Sequence, residues 1–273
     1  MVRCKSVRSI LIGSLIIVVQ TMIAGQGAAD WKVYVAPGLG ISDATVKTDG
    51  QTGPGPPTTP VQLNGSDHDA SPLLSFAVGL EVPMDELVPR EWLLNVRLPD
   101  WPVRVELEAA GLREYELRTN VGPGADLFTE VTATTAMVNF WLDIPLISIY
   151  KPVQYTFGLG RQPTLRRWLE PASFYAGLGV GFSSVEIEGR SNIVRGDDDS
   201  IEFAWNAGLG LSYALTENVS ISTGYRFVAL GERSIDLVGG VPGLNDEVDF
   251  DPLVHEFRAS IRVRVFEFFS PWR

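Results

Sequence analysis

Apolar and polar residues alternate along most of the chain from about residue 30 onward, so the dominant period is two. Between positions 205 and 213, Trp, Ala, Leu, Leu and Tyr occupy every second position, with Asn, Gly, Gly and Ser between them. After a turn at 216–218 the alternation resumes over 219–227, and it returns over 257–265. This period is typical of β-strands with one apolar and one polar face. The C-terminal part is therefore predicted to be a series of antiparallel strands.

Eight strands are predicted in all, because the same alternation appears in five earlier segments. These lie at about 31–42, 74–82, 103–110, 131–143 and 174–185. The apolar face of such strands packs inward in a soluble sandwich but faces lipid in a membrane barrel. Three glycines over 177–181 share the polar face, as a narrow interior requires, and short and long connections alternate. We therefore predict an all-β, eight-stranded antiparallel transmembrane β-barrel, with a soluble sandwich as the alternative.

Aromatic side chains stand near the ends of several predicted strands. Membrane barrels place such residues at the two lipid–water interfaces, where they form an aromatic girdle. The candidates here are Trp31, Trp141, Trp205, Tyr213 and Phe266. Their position is a second reason to prefer the barrel over the sandwich.

The predicted strands are separated by connections of unequal length. Four extracellular loops are predicted near 43–72, 113–128, 186–200 and 231–252. The connection at 145–172 is longer than the tight turns expected at the opposite end of a barrel. Its alternating residues Val153, Tyr155, Phe157 and Leu159 leave a ten-stranded barrel open as an alternative, and residues 163–169 could form a short helix at the membrane surface.

The first 29 residues have the order of a secretory signal peptide. Arg3, Lys5 and Arg8 precede an apolar run at 10–19, and small residues at 27–29 come before the predicted barrel. The apolar run is shorter than the roughly 20 residues that a spanning helix needs. We therefore predict that residues 1–29 are removed on export and that 30–273 form the barrel.

Charge and composition remove several functional classes. The formal net charge of −11 argues against a nucleic-acid partner, since phosphate binding requires a basic face. One cysteine excludes an intramolecular disulfide framework and a cysteine-based zinc site, and two histidines leave little room for other metal chemistry. We accordingly predict no metal, no cofactor and no catalytic residues.

Three segments of the chain resemble a known family. FAWNAGLGLSYALTENVSISTGYRFVALG, at 203–231, is similar to the sixth and seventh strands of small outer-membrane barrels of the OmpA transmembrane-domain and opacity-protein type. FYAGLGVGFS at 174–183 resembles their fifth strand, and VRVELEAAG at 103–111 their third. The resemblance implies a Gram-negative outer-membrane protein of the porin-like barrel group, inserted by the barrel-insertion machinery, with both termini periplasmic and four loops outside. The chain departs from the family pattern in the residues that follow the final aromatic group, at 270–273, and in its long connections.

Strand parity predicts which charged side chains enter the lumen. The inward set consists of Lys32, Glu81, Arg104, Glu106, Glu108, Asn139, Asp143, Arg226, Arg258, Arg262 and Arg264. An eight-stranded barrel has an interior just wide enough for side chains to fill, and buried charges there must be paired. We predict an ion-pair network that plugs the lumen and holds the barrel shut, with a gated ion path as the alternative.

The function predicted from these features is structural: envelope integrity and surface interaction without catalysis. A small-solute pore is the first alternative. A membrane-embedded lipid or peptide hydrolase is the second, in which His255 would act with Asp249 or Asp251. The expected partners are outer-membrane lipids and lipopolysaccharide, with divalent cations shared by the acidic loops, and the expected state is a monomer.

Overall fold

A computed structural model describes residues 31–52, 61–87, 99, 101–122, 125–156, 163–190, 194–231, 233–239 and 245–268. The predicted signal peptide lies outside these residues. The strands are β1 (Trp31–Thr52), β2 (Val61–Pro83), β3 (Pro102–Gly122), β4 (Ala125–Pro145), β5 (Ala172–Arg190), β6 (Val194–Ala214), β7 (Val219–Ala229), β8 (Arg233–Gly239) and β9 (Asn245–Phe268). The helices are α1 (Met84–Leu87), α2 (Leu146–Thr156) and α3 (Pro163–Leu169). In the described part of the chain, none of the helices has the length and apolar content to cross a membrane.

The strands form one antiparallel sheet that closes on itself, because β1 pairs with both β2 and β9. β7 and β8 occupy a single position in the wall, since they pair with successive parts of β9. The break between them contains Gly231, whose φ of 90° is unfavourable for residues with a side chain. Eight strand positions therefore surround the lumen, and the prediction of an eight-stranded antiparallel barrel is confirmed.

The ten-stranded alternative is wrong. Val153 and Tyr155 lie in α2, Phe157 and Leu159 lie outside the described residues, and the predicted short helix at 163–169 is α3. Two further strands would need a free sheet edge between β4 and β5. That edge is absent, because β4 and β5 pair with each other down to Pro145 and Ser173.

The paired strands extend much further than the sequence pattern indicated. Most described residues of the four predicted loops are strand: β1 and β2 pair as far as Thr52 and Val61, and β5 and β6 as far as Arg190 and Arg195. Main-chain pairing continues beyond the lipid-facing segment, where both faces of a hairpin become polar and the alternation of hydrophobicity ends. We call the end of the barrel with these hairpins the distal end, and the end with Trp31 and Phe268 the terminal end.

The outer face carries a band of exposed apolar side chains. It includes Leu39, Ile41, Leu74, Phe76, Phe140, Leu178, Phe182, Phe203, Leu211, Phe257 and Ile261. A continuous exposed surface of this kind is unfavourable in water but matches the lipid-facing band of a membrane barrel.

The lumen changes character along its axis. Towards the distal end its buried side chains are mainly apolar, among them Ala44, Leu73, Val131, Ala133, Val185, Leu230 and Val254. Towards the terminal end they are charged, among them Glu81, Arg104, Asp143 and Arg262. The lumen is therefore packed mainly with apolar side chains towards the distal end, and the charged side chains lie in its middle and towards the terminal end.

The wall between β2 and β3 is interrupted in its distal part. The main-chain register of this strand pair ends at Leu74 and Gly111 among the described residues, and the next residue of β3, Leu112, has a φ of 61°. Beyond that point main-chain amides of β3 donate hydrogen bonds to side-chain oxygens of β2. The Glu114 amide donates to Ser71 Oγ at 2.9 Å, and the Glu116 amide donates to Asp69 Oδ2 at 2.9 Å.

Removing these side-chain acceptors is expected to weaken the pairing of β2 and β3 in its distal part. In Ser71→Ala the amide of Glu114, and in Asp69→Ala the amide of Glu116, should exchange with solvent about fivefold faster, since each loses a hydrogen bond of about 1 kcal/mol. Native-state hydrogen exchange would measure this, with the fully paired amides of 103–110 as the internal control. Unchanged exchange at both amides would show that the side chains do not stabilise this pairing.

Candidate functional site

Three charged side chains of β3, at every second position, point into the lumen. Arg104, Glu106 and Glu108 are all buried, and the residues between them face outward. Asn139 and Asp143 enter from β4 and are also buried. The remaining lumen charges enter from β1, β2, β7 and β9, and all ten residues of the predicted network take part in ion pairs.

A first group, the terminal cluster, lies towards the terminal end. It consists of Lys32, Glu81, Arg104, Glu106, Asp143, Arg262 and Arg264. Arg104 donates from Nε and Nη2 to the two oxygens of Asp143, at 2.8 and 2.9 Å, and from Nη1 to Glu106 Oε1 at 2.5 Å. Such two-point guanidinium–carboxylate contacts are the strongest hydrogen-bonded ion pairs in proteins.

The opening of the terminal cluster is basic and partly wet. Arg264 Nη2 lies 3.0 Å from Glu81 Oε1, and Lys32 Nζ lies 4.0 Å from the same oxygen. Arg264 also donates to the main-chain carbonyl of Glu217 in the turn that joins β6 and β7. The side chains of Lys32 and Arg264 are 33% and 27% exposed, so salt and water weaken these pairs.

A second group, the central cluster, consists of Glu108, Arg113, Arg226, Glu256 and Arg258. Arg226 joins its two carboxylates, because Nη1 donates to Glu108 at 2.7 Å and Nε donates to Glu256 at 2.8 Å. Arg113 donates to Glu256 at 2.6 Å, and Arg258 donates to Glu108 at 3.0 Å. Each acid in this cluster thus has two arginine partners, which offsets the cost of removing it from water.

Neutral side chains add further hydrogen bonds to the lumen network. The hydroxyl of Tyr34 donates to Glu106 Oε1 at 2.7 Å, and the indole of Trp141 donates to Glu106 Oε2 at 2.8 Å. The amide of Asn206 donates to Asn139 at 2.8 Å. Glu106 therefore has one charged and two neutral partners, all contributed by the barrel wall.

Arg113, Glu256 and Tyr34 were missing from the predicted set. Glu256 has the parity of Arg258, and Tyr34 that of Lys32, so the strand pattern alone could have found both. Arg113 could not be found in this way, because the irregularity between Ala110 and Arg113 reverses the parity of β3. After that point odd-numbered positions face inward.

The prediction for Trp141 is wrong in one respect: this side chain belongs to the lumen and not to the aromatic girdle. It is only 5% exposed, and its ring meets that of Tyr175 edge-on at 5.5 Å. It shares the parity of Asn139 and Asp143, and Glu106 supplies an acceptor for its indole.

The other girdle candidates lie on the outer face. Trp205 and Phe266 are 44% and 63% exposed, and Trp31 and Tyr213 are partly exposed. Phe266 faces outward because it lies opposite Val33, on the far side of a bulge that places Arg264 opposite Tyr34. Whether these side chains sit at the lipid–water interface stays a prediction.

Replacing Trp141 by phenylalanine is expected to lower the free energy of unfolding by about 1–3 kcal/mol, because Glu106 loses a buried donor. Urea unfolding of the barrel in lipid vesicles would measure the change. Trp205→Phe is the matched control and should change stability by about 0.5 kcal/mol or less, since its ring is half exposed on the outer face. Equal effects of the two substitutions would contradict the lumenal role of Trp141.

A cavity of about 50 Å³ lies among the two clusters. Its charged lining residues are Arg104, Glu106, Glu108, Arg226, Arg258 and Arg262. Small residues, including Ala36, Ala77 and Gly224, also line it. The volume suffices for a few water molecules or one small ion, and not for an open channel.

The residues considered for hydrolysis and for divalent-cation binding do not line this cavity. His255 faces outward, where its Nδ1 lies 2.5 Å from the Tyr225 hydroxyl and its ring packs against Phe227. The side chains of Asp249 and Asp251, and those of the acidic run 197–199, fall outside the described residues. In the described part, no group of three His, Cys, Asp or Glu residues is arranged to hold a metal ion.

Comparisons with known proteins agree with this architecture. The outer membrane protein beta-barrel domain family matches residues 91–253. The outer membrane protein PagN of Salmonella typhimurium is 25% identical over 151 residues, which are 49% of this chain and 52% of PagN. The match thus spans about half the length of that relative.

Solved structures of outer-membrane barrels are also similar. Neisserial surface protein A is 16% identical in sequence, and the superposition has a TM-score of 0.31. It covers 85% of this chain and 97% of the neisserial protein. OprG of Pseudomonas aeruginosa is 14% identical, with 88% of this chain and 99% of OprG covered and a TM-score of 0.39. The protease OmpT of Escherichia coli is 8% identical, with 87% of this chain and 99% of OmpT covered and a TM-score of 0.40. The chain belongs to the outer membrane protein beta-barrel domain family, and it is a closed eight-stranded barrel of the bacterial outer membrane.

Proposed function

We propose that this protein is a structural and surface-interacting barrel that supports the integrity of the outer membrane without forming an open pore. The observation that carries the proposal is the filled lumen. Ion-paired side chains occupy its terminal half and its middle, and mainly apolar side chains pack the part towards the distal end, around a cavity of about 50 Å³. A solute pore would require a continuous wet path past Arg104 and Arg226, both of which are buried in ion pairs.

The distal hairpins are the parts that would meet other components of the cell surface. The segment 43–72 contains four aspartates and one lysine, and its described residues belong to the long hairpin of β1 and β2. Acidic hairpins next to lipopolysaccharide could share the divalent cations that bridge its phosphate groups.

We expect Mg²⁺ to raise the thermal unfolding midpoint of the barrel in vesicles that contain lipopolysaccharide. The same titration in phosphatidylcholine vesicles is the control and should leave the midpoint unchanged. If the midpoint does not move in the first vesicles, the hairpins do not share cations with this lipid.

The proposed role is non-enzymatic. A hydrolase would need a nucleophile and a base held together in a site that a substrate can enter. Among the described residues, the contacts of His255 are with the Tyr225 hydroxyl and aromatic rings on the outer face. Mass spectrometry of lipid A from a deletion strain and its parent should give identical spectra, and a difference would favour the hydrolase.

The integrity role is tested by deleting the gene and measuring sensitivity to detergent and to vancomycin, which an intact outer membrane excludes. We expect higher sensitivity in the deletion strain and full restoration by the wild-type gene. A chain with residues 53–60 replaced by a short glycine–serine link should also restore it if the barrel itself supports the membrane. Unchanged sensitivity in the deletion strain would overturn the proposal.

A further inference from the structure

The two lumen clusters are not electrically neutral. The terminal cluster has four basic and three acidic side chains, and the central cluster has three basic and two acidic ones. The whole chain carries a net charge of −11, so this local excess of positive charge is opposite to its composition. The excess comes from Lys32 and Arg264 at the terminal opening, whose side chains are 33% and 27% exposed, and the other five basic and five acidic side chains balance. A buried donor without a partner is nevertheless costly, and a bound ion removes that cost.

Arg262 is the buried arginine of these clusters with the longest ion pairs. Its Nη1 lies 3.4 Å from Asp143 Oδ2 and 3.6 Å from Glu81 Oε2, which are the longest ion pairs of these clusters apart from that of Lys32. Its Nη2 is buried and has no hydrogen-bond partner among the described residues, although the residue is only 5% exposed. By contrast, Arg104 donates from all three of its guanidinium nitrogens to Asp143 and Glu106.

Arg262 lines the lumen cavity, together with Arg104, Arg226 and Arg258. Its guanidinium carbon lies over the ring of Tyr34, 5.2 Å from the ring centroid, a distance at which a cation and an aromatic ring attract each other. Ser222 and Ser260 also line the cavity, and their hydroxyls lie 2.7 Å apart. The cavity of about 50 Å³ is therefore lined by four arginines, two serine hydroxyls and the carboxylates of Glu106 and Glu108. Both carboxylates are paired with Arg104, Arg226 or Arg258, which leaves Arg262 Nη2 as a donor without a partner among the described residues.

We propose that this cavity binds a single halide-sized anion, with Arg262 Nη2 as its principal donor. The volume suits a small monovalent ion with one or two waters and not a large organic anion. The partly exposed Lys32 and Arg264 give the terminal opening a positive charge, which attracts anions to that end of the lumen. The bound ion completes the packing of the lumen without creating a path through it.

Thermal unfolding in different sodium salts tests the site. The full chain is refolded in detergent, and its midpoint is compared in chloride, bromide and gluconate at one ionic strength. We expect a saturable rise of about 3 °C or more in the two halides relative to gluconate. Equal midpoints in all three salts would show that the cavity holds water only and would overturn the proposal.

Two arginine substitutions on the same strand separate a site from a general salt effect. Arg262→Gln should abolish the halide shift. Arg264→Gln should retain it, because Arg264 pairs with the same Glu81 but does not line the cavity. A halide shift that persists in Arg262→Gln would contradict the assignment.

If Arg262→Gln does not fold, crystals of the wild-type protein in bromide give the answer. An anomalous peak beside Arg262 Nη2 supports the site. A cavity without an anomalous peak at a bromide concentration that saturates the thermal shift overturns it.

Discussion

Replacing Arg104 by methionine is expected to lower the free energy of unfolding by about 3–5 kcal/mol, the largest effect of any single charge removal in the lumen. Among the described residues, Arg104 is the one charged partner of Glu106, and it holds both oxygens of Asp143. Without it, Glu106 keeps only the neutral donors Tyr34 and Trp141. Urea unfolding of the refolded chain in lipid vesicles measures the loss.

Two further variants make this result specific. Arg264→Met removes an arginine from the same cluster but leaves Glu81 with Arg262 and Lys32, so we expect about 1 kcal/mol or less. Adding Glu106→Gln to Arg104→Met should restore part of the stability, because it removes the buried carboxylate that has lost its charged partner. If Arg104→Met is as stable as Arg264→Met, the ion pairs do not hold the barrel together.

Replacing Gly181 by valine is expected to prevent folding. A side chain at this position would collide with the main-chain carbonyl of Ala136 and the Cα of Met137 on the neighbouring strand. Main-chain atoms of a closed barrel cannot move without disturbing the whole register. The measurement is electrophoretic mobility of unheated samples, in which a folded barrel and an unfolded chain run at different positions.

Alanine substitutions provide the graded comparison for this steric effect. Gly181→Ala should cost about 2–3 kcal/mol, since its Cβ alone makes the collision. Gly111→Ala should be tolerated within about 0.5 kcal/mol, because the atoms nearest to its Cβ belong to Thr134, at 3.5 and 3.8 Å. Equal stability of the two alanine variants would mean that Gly181 is not required by close approach of the strands.

Strand parity predicted the lumen correctly wherever the strands are regular. Arg104, Glu106 and Glu108 follow one another at a spacing of two, and the sheet keeps that spacing. Parity fails at irregularities, because one extra residue exchanges the inner and outer faces of all that follows. Arg113 was missed for this reason, and the main-chain conformation of Leu112 that causes it leaves no mark in the hydrophobic pattern.

Other features depend on three-dimensional neighbours that the sequence does not display. Trp141 was assigned to the girdle because it stands near a strand end, but Glu106 on the adjacent strand draws its indole into the lumen. The alternation of apolar residues at 153–159 is typical of a strand, but β4 and β5 pair with each other and leave no sheet edge for a further strand. The distal hairpins stay paired where both faces are polar, so their strands were predicted too short.

Single-channel recording from the refolded full chain in planar lipid bilayers tests most directly whether the side chains of the lumen close it. With Arg104 and Arg226 held in buried ion pairs and the part towards the distal end packed mainly with apolar side chains, we predict insertion without discrete conductance steps. Insertion is verified in the same preparation by the mobility shift between unheated and boiled samples. Stable, reproducible openings of the wild-type barrel would contradict the account and favour the small-solute pore.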